Sequence, residues 1–325
     1  MDEPAPLIGI PLAPVPPNGA AEWFAGVRGS KLRAALFRPE GEPVGSVIVS
    51  SGRTEPIEKY FEVVRELQER RFVVLVNEWR GQGLSERPLK DRMKGHAKGF
   101  ADFVADYKLM LNAFEARLPK PWIAVSHSMG GCLTLKVLAS GEPRLDGAIV
   151  TAPMLEIATG MPYQVARPLA FAADLVCGPS LVRVAETDPA KAPFQDNVLT
   201  HDLARFERNR AQIVACPDLR LGGVTWSWIN SALAGIAELF KPGALDRITI
   251  PVVLVTAGDD KVVLTRGAKA LAAKLPVGKY VEIAGAYHEI LQEQDHIREI
   301  FWREFDLLAE KIGSLEKVSA DASVA

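Results

Sequence analysis

A chain of 325 residues that is 48% hydrophobic and 24% charged has room for one large soluble domain or two smaller ones. Its formal net charge of -2 gives no electrostatic case for nucleic acid or an anionic membrane as partner. Three cysteines, at 132, 177 and 216, are odd in number and far apart, which argues for reduced thiols in a cytoplasmic setting and against a disulfide framework.

Residues 1–18 hold six prolines, with Asp2 and Glu3 and no Lys or Arg. A signal peptide needs a basic start and an unbroken apolar core, and no later run approaches transmembrane length. Residues 1–20 read as an extended arm. Segments 22–28 and 31–38 are strand-like, joined by Gly29 and Ser30 as in an edge hairpin. Residues 45–50 form a short apolar strand, after which Ile57, Tyr60, Phe61, Val64 and Leu67 mark one face of a helix. Residues 72–76 are continuously apolar, the pattern of a parallel strand covered on both faces. A glycine-punctuated loop at 77–85 and a basic stretch at 87–98 lead to a second helix, marked by Phe100, Phe103, Val104, Tyr107, Leu111 and Phe114. Strands follow at 122–125 and 145–150, with a helix between them.

This alternation is the signature of a doubly wound α/β sheet. It stops from 153 to 240, a span holding Pro162, Pro168, Pro179, Pro189, Pro193 and Pro217 among short helical pieces. A structureless connection of that length does not suit a compact domain, so the span reads as an inserted helical cap. Alternation resumes with a strand at 248–255, a helix at 265–275, a strand at 279–283 and a closing helix at 290–311. The expected fold is α/β, with a mostly parallel, doubly wound sheet of about eight strands. Residues 21–152 and 241–312 form its core, 153–240 the cap or lid, and 313–325 a flexible tail.

The chemistry centres on Ser126-His127-Ser128-Met129-Gly130. An apolar strand runs into it and a helix leaves it, so Ser128 sits at the apex of a sharp turn. Small flanking residues are what a strained strand-to-helix turn requires, and Ser126 and Gly130 supply them. The turn lifts the hydroxyl off the sheet edge and brings the Met129 N–H and a helix start to the same place, which suits a developing oxyanion.

A serine hydroxyl needs a base, and the base needs an acid to orient it. On an open α/β sheet the chain order is serine, acid, histidine. Among histidines 96, 127, 201, 288 and 296, only the last two follow the strand near 250. His296 lies in a helical stretch. His288 follows a strand directly, on a loop begun by Gly285, and is the expected base. Asp259 and Asp260 both follow the 248–255 strand, and spacing does not separate them. His127 points away from its neighbour Ser128 in such a turn and reads as structural. The second oxyanion donor is expected from Ser51-Gly52-Arg53, as the backbone N–H of Arg53.

With these residues in place, the chain resembles the lysophospholipase and monoacylglycerol lipase branch of the α/β-hydrolase superfamily, including serine aminopeptidase-like hydrolases. The resemblance runs from about residue 22 to 305. Its stretches are 52–60, 78–85, 126–131, 258–263 and 285–291, with 197–202 and 221–226 in the cap. Gly285-Ala286-Tyr287-His288 and Gln82-Gly83-Leu84-Ser85 are the most specific. The resemblance implies an acid at the third position of 258–263, which is Asp260. Three departures stand out: Ser51 where a histidine and glycine are common, Ser126 for glycine, and Glu78 for aspartate.

The expected activity is cofactor-independent hydrolysis of carboxylic esters, with lysophospholipids or monoacylglycerols as substrates. Trp226, Trp228, Leu169 and Phe171 are candidates for an apolar pocket under the cap. Glu78, Arg80 and Arg87 read as loop-stabilising pairs. No His and Cys cluster has metal-ligand spacing, and Gly81-Gln82-Gly83 lacks a nucleotide fingerprint, so no metal or cofactor is expected. Two alternatives stay open. A prolyl-type aminopeptidase would hold a substrate amine with Glu186 or Asp188, and a non-catalytic ligand-binding homologue would keep only the fold. Peripheral membrane contact through the cap and the oligomeric state stay open as well.

Overall fold

The structure is a computed structural model and describes residues 3–182 and 188–322. Nine strands form one sheet: β1 (Glu3–Ala5), β2 (Gly19–Ala25), β3 (Lys31–Phe37), β4 (Gly45–Ser50), β5 (Phe72–Asn77), β6 (Trp122–His127), β7 (Gly147–Thr151), β8 (Val252–Ala257) and β9 (Gly278–Ile283). Their spatial order is β1-β2-β3-β5-β4-β6-β7-β8-β9. The first three strands pair antiparallel, as do β3 and β5, and every other pairing is parallel. This is the α/β-hydrolase fold, one strand richer than expected. The additional strand is β1, which pairs Pro4 with Glu22 at the sheet edge, where a proline interrupts no second ladder. A three-residue strand among prolines leaves no alternating pattern to read.

All six residues of β4, β5, β6 and β8 are buried, as their apolar runs require of strands covered on both faces. The covering helices are α1 (Phe61–Glu69), α2 (Ala101–Phe114), α3 (Ser128–Ala139), α7 (Thr265–Ala272) and α8 (Asp295–Ala322). The closing helix thus starts later than expected and runs past Lys311. Because β4, β6, β8 and β9 run parallel, their carboxyl ends and following loops share one edge of the sheet.

Between β7 and β8 the chain makes α4 (Tyr163–Cys177), α5 (Leu203–Ala215) and α6 (Trp226–Leu239). Pro168 lies inside α4 and does not end it. Helix α6 joins the main core through Trp228, Ala232, Ile236 and Leu239. Helix α4 touches it through Ala166 and Ala170, four residues apart and therefore on one face, packed with Leu233. Helix α5 is fixed by charge: Arg205 meets Glu62 at 2.8 Å and Asp295 at 2.6 Å, and Arg208 meets Glu62 at 2.8 Å.

One buried ion cluster locks the amino-terminal half. Arg33 on β3, fully buried, binds Glu58 at 2.8 Å and Glu78 at 2.6 Å. Burial works against its charge, but the two carboxylates outweigh that and hold it protonated. Glu78 also accepts the N–H groups of Leu84 and Ser85 at 2.9 Å, which shapes the loop after β5. Arg80 is paired with Asp106, and Arg87 donates to the carbonyls of Gly81 and Gly83. Removing the cation would strand two buried carboxylates. Arg33→Met is therefore expected to cost about 3–5 kcal/mol, read from urea unfolding midpoints at an unchanged m-value.

Candidate active site

Strand β6 ends at His127, and Ser128 opens α3 with φ of +51°. A non-glycine residue in this left-handed region costs on the order of 1–3 kcal/mol and persists only where its surroundings enforce it. They do so here by close approach. A Cβ on Gly130 would lie 2.4 Å from the carbonyl oxygens of both Ser50 and Ser51, and one on Gly131 would lie 2.4 Å from Val150 Cγ1. The Met154 N–H donates to the Ser128 carbonyl at 2.9 Å, closing the turn from the β7 side. Ser126 fits where glycine is common because its buried hydroxyl donates to Thr134 Oγ1 at 2.8 Å.

The side chains of Ser128, His288 and Asp260 are in contact. His288 Nε2 lies 2.9 Å from Ser128 Oγ, and His288 Nδ1 lies 2.7 Å from Asp260 Oδ2. The other Asp260 oxygen accepts the N–H groups of Val262 at 2.8 Å and Val263 at 3.0 Å. Burial raises the Asp260 pKa, but the His288 hydrogen bond and charge outweigh it, so the carboxyl sits below its ordinary range. An ionised Asp260 draws the proton to Nδ1 and leaves Nε2 as acceptor for the serine hydroxyl. Asp259 is exposed and gives its backbone N–H to the Ala286 carbonyl at 3.0 Å. His296 is exposed on α8.

The loop after β4 runs beside this site. The Gly52 N–H is taken by Glu55, and the Thr54 N–H by Gln82 Oε1 at 2.5 Å. Among the described residues the Arg53 N–H between them has no acceptor. The Met129 N–H belongs to the first turn of α3, whose N–H groups have no partner within the helix. These are the two N–H groups that the sequence reading names as oxyanion donors.

A buried network beneath the loop was not legible in the sequence. Glu55 accepts from Tyr60 at 2.6 Å and Lys59 at 2.8 Å, and Lys59 reaches Glu289 at 2.5 Å. Glu289 follows His288 directly, so Lys59 links the loop after β4 to the histidine loop. No local pattern marks Lys59 as buried. Burial would raise the Glu55 carboxyl, yet Lys59 and then His127 bring it down to about 2. The His127 ring lies 4.8 Å from that of His288, and its Nδ1 is 3.1 Å from Thr151 Oγ1. Burial lowers its pKa to about 4, so it is neutral and adds no charge beside His288.

The four pocket candidates do not gather. Trp228 is buried against Phe100, with ring centroids 6.4 Å apart, and faces the Arg53 guanidinium. Trp226 is half-buried. Leu169 and Phe171 are 48% and 54% exposed, because α4 turns its alanine stripe inward and these residues outward. A cavity of about 1120 Å³ lies elsewhere, lined by Leu155, Ile157, Tyr163, Leu233, Ile236 and Leu264 among others. It is close to the site through the chain. Leu155 follows Met154, which binds Ser128, and Leu264 follows Val263, which binds Asp260. Glu186 lies outside the described residues, and Asp188 faces Lys191 at 3.8 Å and Arg220 at 3.9 Å. Among the described residues no group of three His, Cys, Asp or Glu could hold a metal ion, and no helix is long and apolar enough to cross a membrane.

Fold and site together define an α/β-hydrolase with a serine, histidine and aspartate in hydrogen-bond contact. The family model described as serine aminopeptidase, S33, matches residues 41–295, and the chain belongs to that family. Lysophospholipase L2 of Escherichia coli strain K12 is 35% identical over 303 residues, covering 85% of this chain and 83% of that protein. Monoacylglycerol lipase of Mycolicibacterium smegmatis is 23% identical over 278 residues, covering 84% and 91%. A crystal structure of a soluble variant of monoglyceride lipase from Saccharomyces cerevisiae superposes with a TM-score of 0.71 at 17% identity, covering 89% of this chain and 94% of that one. The chain stands on the lysophospholipase and monoacylglycerol lipase branch of the family.

Two outcomes follow from the packing and charge of the site. Gly130→Ala should lose about 1–3 kcal/mol in urea unfolding, because backbone and not a flexible side chain blocks the new methyl. His127 binds its proton near pH 4 when folded and near its ordinary 6.5 when unfolded. Its stabilising contribution is therefore whole above about pH 6.5 and falls as the pH drops toward 4. The loss is up to about 3 kcal/mol. His127→Gln should flatten that slope in urea titrations at pH 7, 5.5 and 4.5, and an unchanged slope would contradict the assignment.

Proposed function

We propose that this carboxylic ester hydrolase cleaves single-chain glycerol esters, lysophospholipids or monoacylglycerols, through an acyl-enzyme on Ser128. The observation that carries the reading is the unbroken hydrogen-bond chain from Ser128 Oγ through His288 to Asp260. Ser128 attacks the ester carbonyl as His288 Nε2 takes its proton, and Asp260 stabilises the resulting imidazolium. The N–H groups of Arg53 and Met129 hold the oxyanion. His288 returns the proton to the leaving alcohol, and water, activated by the same imidazole, then releases the acid. No step requires a metal or cofactor.

Lipid substrates suit the named activities of the relatives and the largely apolar cavity whose wall includes Leu155 and Leu264, the chain neighbours of Met154 and Val263. In this reading the segment from 153 to 240 is a cap over the site. The exposed apolar residues of α4, among them Leu169, Leu175 and Val176, meet a membrane or micelle surface. The free cysteines 132, 177 and 216 suit a cytoplasmic protein.

Ser128→Ala should lower p-nitrophenyl ester turnover by at least about 10⁴-fold and abolish fluorophosphonate labelling, with an unchanged circular dichroism spectrum. Full activity in that variant would overturn the mechanism. A panel of monoacylglycerols, lysophospholipids and aminoacyl amides, read by mass spectrometry, tests the substrate class, and preference for the amides would overturn it.

A further inference from the structure

Arg53 contributes a backbone N–H to the proposed oxyanion hole, and its side chain poses a separate question. The guanidinium is enclosed between Gly95, Gly222 and Trp228. Nη2 donates to the Gly222 carbonyl, and Cζ lies 5.5 Å from the centre of the Trp228 ring. A Cβ on Gly95 would lie 2.7 Å from Nη2 and 3.1 Å from Nε. Nε is buried and has no hydrogen-bond partner. No carboxylate among the described residues pairs with Arg53. The charge acting on it is that of Arg87, itself held by the carbonyls of Gly81 and Gly83, with its Nε also buried without a hydrogen-bond partner; Arg92 beyond it faces Asp218 at 3.4 Å. Burial and then the like charge of Arg87 lower the Arg53 pKa to about 10, which still leaves it cationic at neutral pH. The fully buried Arg33 and the buried Lys59 are each paired with two carboxylates. A guanidinium without a carboxylate, on the residue whose N–H is the proposed oxyanion donor, therefore lacks its counter-ion.

We infer that the Arg53 guanidinium binds the phosphate of a lysophospholipid substrate on the leaving-group side of the ester. The inference rests on the serine-hydrolase reading of the same site and chooses between its two substrate classes. A monoacylglycerol carries no anion for this cation, whereas a lysophospholipid carries one at a fixed remove from its ester. The chain of atoms from the ester carbonyl carbon across glycerol to phosphorus is similar in length to the arginine side chain. One residue can thus hold the oxyanion with its N–H and the head-group phosphate with its guanidinium. Arginine's planar fork matches phosphate oxygens in a way that lysine's point charge does not.

The test compares kcat/KM of the full chain for lysophosphatidate and for a monoacylglycerol with the same acyl chain. The wild type should prefer lysophosphatidate. The ratio of the two values should fall about 10- to 100-fold in Arg53→Met and less in Arg53→Lys. The ratio controls for any general disturbance of the loop. Gly95→Ala should lower the ratio as well, because the new methyl displaces the guanidinium without altering Arg53. In the wild type, glycerol 3-phosphate should inhibit p-nitrophenyl ester turnover at a concentration at least about tenfold below glycerol and below inorganic phosphate. That arm needs no variant to fold.

A ratio that moves less than about threefold in both Arg53→Met and Gly95→Ala would overturn the inference. So would equal inhibition by glycerol and glycerol 3-phosphate, or a wild-type preference for the monoacylglycerol. Inhibition by inorganic phosphate as strong as by glycerol 3-phosphate would mark a free-anion site and overturn the head-group assignment. Wild-type protein that hydrolyses no ester and takes no fluorophosphonate label would instead bring down the serine-hydrolase reading, and this inference with it.

Discussion

The site depends on how closely α3 approaches the end of β4. Helix and strand meet where Gly130 has no side chain, against the carbonyls of Ser50 and Ser51. That contact forces Ser128 into a left-handed backbone and aims its hydroxyl away from the sheet. It also sets the loop carrying the Arg53 N–H beside the serine. A helix one methyl farther out would relax the strain at Ser128 and separate its hydroxyl from the loop that carries the Arg53 N–H together. Strain and function at this turn thus have one geometric origin.

The loops that complete the site come from distant parts of the chain, and buried charge joins them. Lys59 holds Glu55 behind the loop after β4 and Glu289 behind the His288 loop. Arg33 does the same for Glu58 and Glu78. Such clusters contribute little net stability over an apolar core, because removing ions from water is costly. Their effect is to permit few arrangements, which a site needing placement within fractions of an ångström requires.

Much of this was legible in the sequence because it is carried by local pattern. The apolar runs of β4, β5, β6 and β8 could only be covered parallel strands. Ser128 between small residues could only be a sharp turn. Chain order then separated His288 from three other histidines and a helical setting from His296, and the contact of His288 with Ser128 depends on the strand ends sharing an edge. Spacing left Asp259 and Asp260 equivalent, since only the course of the loop after β8 turns one carboxylate to the imidazole and the other to solvent. What had no local signature was missed. Strand β1 is three residues among prolines. Leu169 and Phe171 have the composition of a pocket wall, but the side of α4 they occupy is decided by Ala166 and Ala170, which pack closer to α6. Lys59 looks like any surface lysine until its two carboxylates are seen.

The insertion between β7 and β8 is held unevenly. Helix α5 is riveted to α1 and the start of α8 by Arg205 and Arg208, whereas α4 rests on α6 through Ala166, Ala170 and Leu233, with Asp174 accepting from Ser227 and Asn230. One part of the insertion is therefore held by ion pairs to the core and the other by close packing and neutral donors on α6. Raised ionic strength would screen the Arg205 and Arg208 pairs and leave the packing of α4 on α6 largely untouched, so the two parts of one insertion would respond to salt unequally.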